Sequence, residues 1–377
     1  MAIELQAERG LQKMKVDSYL VLAVFMLTAL GLVTLYSGSY AFAKRFFNDG
    51  FYFVSRQLIF GAVGVLLFFI ASYIPLDSVR RFIVPLVLGT IILCVLTFVP
   101  GVGISKNGAS RWIGIGSFSY QPSEMVKLVL PIYLAHIFDK KKEDVNSFMK
   151  AVLPPTLMTV LFFALIYMQN NFSTALFVVL NALVVFFLAG VRIRYFVMAI
   201  ALIIPVSALL ILTRTHRLTR FISFMNPDWD PLGAGYQVRA SVLTIESGGF
   251  WGKGIGQGTR KLTSVPEIQS DFIFSAFAEE LGFVGVLLFF ILFAFFVYRG
   301  YKASLASESL FGRLLAFGLV TTIASQTLLN ICVTSGAIPA TGIPLPFFSA
   351  GGSALVTTLV SAGLVVNVSR KEASVYG

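Results

Sequence analysis

Charge is scarce in this sequence. Only 12% of its 377 residues are Asp, Glu, Lys or Arg, whereas a soluble domain carries roughly a quarter, so an ordinary globular protein is excluded. Cysteine is nearly absent. Cys94 and Cys332 both lie inside apolar runs, and no CxxC or Cys/His spacing could hold zinc or a cluster. Disulfide and thiol chemistry therefore drop out. The chain also lacks internal repeats, heptads, low-complexity tracts and any linker between soluble domains, which leaves residues 1–377 as one domain. A nucleotide loop is missing too. The Gly-rich stretch IESGGFWGKGIGQGTRKL at 245–262 meets neither GxGxxG nor GxxxxGK[ST] in register, and no strand precedes it.

What fills the chain is apolar: 57% hydrophobic residues, 37 of them Phe, and a mean hydropathy of +0.84. A bilayer-crossing helix needs about 20 mostly apolar residues. Ten segments have that character, with apolar cores at 19–36, 58–74, 82–99, 125–138, 151–168, 174–189, 196–212, 272–297, 314–334 and 353–367. The expectation is an all-α integral membrane protein of about ten transmembrane helices. Arg9, Lys13 and Lys15 precede the first span and no small-residue cleavage site follows it, so a retained anchor with a cytoplasmic N-terminus (1–17) is expected. On that topology sixteen basic residues face the cytoplasm and five lie in short outer loops, which is the positive-inside pattern. It places the C-terminal tail, 368–377, inside as well. The net charge of +11 is explained by topology and anionic lipid, with no nucleic-acid partner.

Three segments are neither apolar nor short: 100–124, 213–271 between spans 7 and 8, and 335–352. All face outward on this topology, so the work of the protein is expected at that face. In the long loop, Arg217, Arg220, Arg239, Lys253, Arg260 and Lys261 make a cationic surface suited to phosphate or pyrophosphate at headgroup level; solvated loop charges are the plainer alternative. Asp271 precedes a strongly apolar helix and is either its N-cap or a general base at the water–lipid boundary, where partial desolvation would raise its pKa. Glu279 and Glu280 would lie roughly 12 Å deeper along that helix, facing the interior or a cavity and pairing with buried Arg or Lys. Glu124 and Lys127 in QPSEMVKL are spaced i, i+3 on one helix face. They either form a buried ion pair or present Lys127 to an anionic substrate. Arg111 and Arg56 could add positive charge to the same outer cavity or act as interfacial anchors. Pro344, Pro346, Gly351 and Gly352, flanked by Asn330 and Ser353, preclude one continuous helix over 334–355. Such backbone near membrane depth must be covered by protein or line a water-filled cavity.

The motifs QPSEMVKL, NPDWDPLGAGYQ, GKGIGQGTRKL, PEIQSDFIFSAFAEELGFVG and TGIPLPFFSAGGSAL, in this order over ten spans, resemble the SEDS family (shape, elongation, division and sporulation). The resemblance covers essentially the whole chain. It implies a bacterial cytoplasmic-membrane enzyme that polymerises lipid II into β-1,4 glycan strands at the outer face. GYQ at 235–237 and the KL of GTRKL point to the division branch, hence the septum, before the elongation or sporulation branches. The resemblance implies that Asp271 is the catalytic base for an inverting transfer, and that Glu124, Lys127, Arg111, Arg56, Lys261, Gln237 and Ser353 bind substrate. Glu279, Glu280, Asn330, Pro344, Pro346, Gly351 and Gly352 would shape the cavity. No covalently bound cofactor is implied; a divalent cation, Mg or Mn, could assist the leaving pyrophosphate. The implied partners are lipid II, the nascent strand, membrane lipid, a class B penicillin-binding protein and other division proteins. One departure stands out: the family usually reads QPDFGTA where this chain has QNNFSTA at 169–175, so Asn171 replaces an acid and Ser173 a glycine. A lipid-linked sugar transporter such as a lipid II flippase, and a non-catalytic division scaffold, are the competing functional classes.

Overall fold

The structure, a computed structural model, describes residues 16–106, 108–115, 118–226, 234–259 and 268–370. The helices are α1 (Ser18–Phe47), α2 (Tyr52–Tyr73), the short α3 (Leu76–Arg81), α4 (Ile83–Leu96), α5 (Pro122–Lys140), α6 (Leu153–Met168), α7 (Phe172–Leu188), α8 (Ile193–Leu212), α9 (Thr215–Met225), α10 (Ala234–Gly248), α11 (Ile273–Ala306), α12 (Leu310–Thr334) and α13 (Gly352–Ser369). Ten of them, α1, α2, α4 to α8 and α11 to α13, coincide with the ten apolar segments. Among the described residues seven helices are long and apolar enough by themselves to cross a membrane, with a π-turn at Phe148–Val152 lengthening α6; α4 and α7 are shorter apolar helices. The remaining one, α5, carries Glu124 and Lys127 among its buried residues.

Segment 100–124 adds a small sheet to the helical fold. It folds into an antiparallel sheet of β1 (Gly103–Lys106), β2 (Ala109–Ile115) and β3 (Phe118–Tyr120) in the order β1-β2-β3. Alternation in ASRWIGI is too short and too broken by glycine to stand out from loop sequence, and only pairing with its neighbours fixes it as strand.

Helix packing follows residue size. Without a hydrophobic drive between helices in lipid, close approach depends on small residues. The most extensive pair is α2 on α13. There Gly363 lies against the carbonyl of Phe68 and Gly64 against Leu359, and Asn367 Nδ2 donates to Ala71 O and Ile74 O at 2.7 and 2.6 Å. Helices α12 and α13 form the buried centre, while no residue of α8 is buried. The residues expected on the cytoplasmic side meet at one end of the bundle. Asp17 caps α1 and pairs with Arg299 at 2.6 Å, and Arg80 pairs with Asp139 at 2.8 Å.

Two departures from regular helix position the opposite end. Helix α11 is broken at Gly282 (φ 61°, ψ −164°), so the single rod expected from Asp271 inward is two pieces. The Gly-rich stretch after α10 binds the break: Lys253 N and Gly254 N donate to Glu279 O and Glu280 O, while Phe283 N and Val284 N donate to Gly249 O and Phe250 O. The free backbone groups of the break are thereby satisfied. The second departure is the loop after α12. It dips into the bundle, burying Ile343, Leu345, Phe347 and Phe348, with Phe347 edge-on to Phe296 and Phe348 edge-on to Phe277 and Phe289.

Candidate functional site

Asp271 sits in the turn that leads into α11, half-buried. The N-cap of α11 is Phe272, one residue past Asp271, and its side chain makes no cap hydrogen bond. Asn330 of α12 holds this turn. Its Nδ2 donates to Asp271 O at 2.8 Å and to Ile343 O at 2.9 Å, fastening the Asp271 turn and the re-entrant loop to one helix. Gly342 of that loop faces the carboxylate. A Cβ placed there would be 3.6 Å from Asp271 Oδ2 and 4.0 Å from Arg111 Nη1, so Gly342 borders both charged groups at ordinary contact distance.

Arg111 and Arg220 lie in the field of the Asp271 carboxylate, and Arg217 in the field of Arg111. Arg111 projects from β2, and its Nη2 donates to Asn170 O; Asn170, in the left-handed conformation (φ 58°), returns a bond from Nδ2 to Gly108 O at 2.7 Å. Arg220, on α9, donates to Ala340 O at 3.4 Å. Arg217 stacks on Tyr167 and Phe172 at 4.8 and 5.0 Å. Burial lowers the Arg111 pKa from the usual arginine range; Arg220 and Arg217 lower it further, and Asp271 opposes them. Arg220 is likewise lowered by burial and supported by Asp271. One carboxylate thus stabilises two partly desolvated cations of like sign, and the local field favours a further anion.

The second constellation lies deeper. Lys127 and Glu124 form an ion pair of 2.7 Å with both side chains 4% exposed, and Lys127 Nζ also donates to Gln326 Oε1 at 2.8 Å. Gln326 Nε2 in turn donates to Pro344 O at 2.8 Å. The i, i+3 spacing therefore makes the buried pair, and the chain of contacts runs from α5 through α12 to the loop that carries Gly342. Arg56 does not join the centre; it stacks on Tyr52 at 4.2 Å, the geometry of an interfacial anchor. Ser353 is buried in the first turn of α13, and Gln237 is half-buried on α10. A Cβ on Gly352 would overlap the Phe60 ring, and Gly351 N donates to Gln57 Oε1 at 3.3 Å. Lys261 and Arg260 lie outside the described residues.

Glu279 and Glu280 do find partners, though from an unexpected quarter. Glu279 Oε1 accepts from Lys253 Nζ at 2.9 Å, Ser247 Oγ at 3.2 Å and Thr259 N at 3.1 Å. Glu280 accepts from Ser37 Oγ and from Gly256 N at 3.0 Å. The pair anchors the Gly-rich strap to the broken helix.

Sequence reading missed Gln326, Gln57, Asn170 and Gly342. A usable signal existed for the first two, since a glutamine in an apolar span must find a partner; Gln57 Nε2 donates to Ser349 O at 2.9 Å. Nothing in the sequence marks Gly342 over its neighbours. Asn171 holds the N-cap position of α7 at 4% exposure without a side-chain cap hydrogen bond, and among the described residues its Nδ2 lacks a partner. Among the described residues no three His, Cys, Asp or Glu side chains cluster. A hard divalent cation wants about six oxygen ligands, and among the described residues Asp271 has no two further such side chains clustered with it.

A family model for cell cycle proteins, spanning the FtsW, RodA and SpoVE proteins, matches residues 18–374. The "Probable peptidoglycan glycosyltransferase FtsW" of Geobacter sp. (strain M18) is 36% identical over 355 residues, covering 94% of this chain and 97% of that one. "Stage V sporulation protein E" of Bacillus subtilis (strain 168) is 37% identical over 359 residues, covering 95% and 98%. Among solved structures, a chain of a peptidoglycan synthase complex that coordinates polymerization and crosslinking superposes with a TM-score of 0.79 at 31% identity, covering 94% and 98%. The rod shape determining protein RodA of Thermus thermophilus superposes at 0.69 and 28% identity, covering 94% and 97%. With matching motifs, ten apolar helices and near-complete coverage in both directions, this chain belongs to the FtsW/RodA/SpoVE family of cell cycle proteins, the SEDS family its motifs resemble.

Proposed function

We propose that this membrane protein is a peptidoglycan glycosyltransferase that polymerises lipid II into β-1,4 glycan strands at the outer face of the cytoplasmic membrane. The observation that carries the reading is the half-buried Asp271 carboxylate facing Arg111 across Gly342, with Arg220 within its field. In this reading Asp271 accepts the proton of the acceptor 4-hydroxyl as that oxygen bonds to the donor anomeric carbon. The bond from that carbon to the lipid diphosphate breaks, and its electron pair leaves with the diphosphate. A single displacement of an α-linked donor gives the β product and needs a base but no covalent nucleophile. Arg111 and Arg220 are fixed before reaction by their carbonyl contacts and so meet the developing negative charge with little reorganisation.

The names of the FtsW relatives and the match to a chain of a peptidoglycan synthase complex support the chemistry. That complex also supports a class B penicillin-binding protein as partner. Action at the septum rests on GYQ and GTRKL, since division and sporulation relatives match equally well. The deciding experiment is glycan-strand formation from lipid II by the purified protein, with and without its cognate penicillin-binding protein. Wild type should give polymer, and Asp271→Asn at equal folded concentration should give essentially none. Equal polymer from both would remove Asp271 as base. No polymer from wild type, even with the partner, would favour a carrier or scaffold.

A further inference from the structure

Three amide side chains hold the loop that follows α12. Gln57 of α2 takes its far end, donating to Ser349 O at 2.9 Å and accepting from Gly351 N at 3.3 Å. Asn330 and Gln326, one turn apart on α12, take two successive carbonyls, those of Ile343 and Pro344, at 2.9 and 2.8 Å. Gly342 stands immediately before them and borders both Asp271 Oδ2 and Arg111 Nη1. The direction in which the Ile343 and Pro344 carbonyls are held therefore sets how this glycine sits against the two charged groups.

Gln326 differs from the other two in having a charge as its second partner. It is 4% exposed, and its Oε1 accepts from Lys127 Nζ at 2.8 Å, while the same ammonium pairs with Glu124 at 2.7 Å. An ammonium only donates and a carbonyl only accepts. The oxygen end of the amide must therefore face Lys127, which commits Nε2 to Pro344 O. Turned the other way, the amide would set NH2 against ammonium and oxygen against oxygen, and both buried bonds would be lost. A tie that merely joined α12 to the loop would need no charge behind it. Here the charge gives the amide a single orientation, much as a hydrogen bond at one histidine nitrogen fixes what the other can do. We propose that Gln326 is a positioning residue for Asp271: oriented by Lys127, its amide holds the loop at Pro344 and so sets the placing of Asp271 and Arg111 on either side of Gly342. Lys127 then acts on the reaction through Gln326 and Pro344, without touching substrate. The assignment rests on the polymerase reading above for its catalytic readout.

The test is steady-state glycan formation from lipid II by the full chain with its cognate penicillin-binding protein in nanodiscs. Three proteins are compared with wild type: Gln326→Met, the pair variant Glu124→Leu/Lys127→Met, and the combination of all three changes. Gln326→Met removes both bonds at nearly constant volume, and the pair variant leaves the amide without its orienting charge. Each should lower kcat by about tenfold to a hundredfold, the scale of a misplacement of up to about 1 Å, with KM for lipid II within about twofold of wild type. The combination should be no slower than the slower of the two, because all three changes break one chain of contacts. Hydrogen exchange on the same proteins gives a readout that needs no turnover. Backbone amides over 345–350 should exchange about tenfold faster in Gln326→Met and in the pair variant, with exchange in the rest of the bundle unchanged. Wild-type kcat in Gln326→Met, or unchanged loop exchange in both variants, would overturn the proposal. A raised KM in the pair variant, with losses that multiply in the combination, would overturn the route through Gln326 in favour of direct contact between Lys127 and substrate. If wild type makes no polymer, the polymerase reading falls by itself, and loop exchange still decides whether Gln326 and Lys127 hold the loop.

Discussion

The buried pair of Glu124 and Lys127 offers a sharp test of what holds the centre of the bundle. At 2.7 Å and 4% exposure on both sides, neither charge has water to fall back on. Changing Lys127 to Met leaves the Glu124 carboxylate desolvated and unpaired, and removes the donor to Gln326 Oε1. Breaking a buried pair from one side is unfavourable by about 3–5 kcal/mol, whereas replacing both members with apolar residues of similar volume is often neutral or better. Lys127→Met and Glu124→Leu should therefore each destabilise by about 3–5 kcal/mol. The double variant should recover most of that loss, short of the roughly 1 kcal/mol tied to the Gln326 bond. Reversible unfolding in mixed micelles, run as a double-mutant cycle, gives the coupling directly. Singles that unfold like wild type, or a double variant as unstable as the sum of the singles, would refute the argument. The cycle also separates roles, because a double variant with recovered stability but no glycan formation would assign Lys127 a part in the reaction beyond its structural one.

Other outcomes follow from the same geometry. Gly252 (φ 79°) lies against the Glu280 carbonyl, so Gly252→Ala should weaken the strap by at least about 1–3 kcal/mol, whereas Gly256→Ala (φ 82°), where a Cβ meets open space, should lose only about 1 kcal/mol of backbone preference; proteolysis of the strap in folded protein would rank them, and equal susceptibility would contradict the packing. Tyr120, at the end of β3, is pushed up to about 12 by burial and then by the Glu124 carboxylate. As an acid whose folded pKa exceeds its unfolded value near 10, it contributes stability that is present below about pH 10 and is lost as pH rises towards 12. Phenolate absorbance should show this late titration, and Glu124→Gln should move it downward; a midpoint near 10 in the folded protein would remove the effect.

Much of the helical scaffold was legible in the chain. Ten apolar segments marked ten spans because in lipid every backbone group must be satisfied within the segment, which leaves hydropathy as a nearly sufficient code. The distribution of basic residues sets an expected orientation for a similarly local reason. The candidate base, the buried i, i+3 pair and the Gly/Pro loop could also be picked out, since polar residues beside apolar runs are few and each needs a physical reason to be there.

What sequence could not decide was which of these polar residues meet. Asp271 and Arg111 are far apart in the chain and converge at Gly342, in the loop that Asn330 ties to the Asp271 turn. Arg56, open in the sequence between the same outer cavity and an interfacial anchor, stacks on Tyr52. The carboxylates of Glu279 and Glu280 face the Gly-rich strap because α11 breaks at Gly282, and one glycine in an apolar helix does not announce a break. The small sheet at 103–120 exists only through pairing between its strands. Local hydropathy thus determines which segments cross the membrane, while side-chain hydrogen bonds between residues distant in sequence determine where the loops fold back and which charges they bring together.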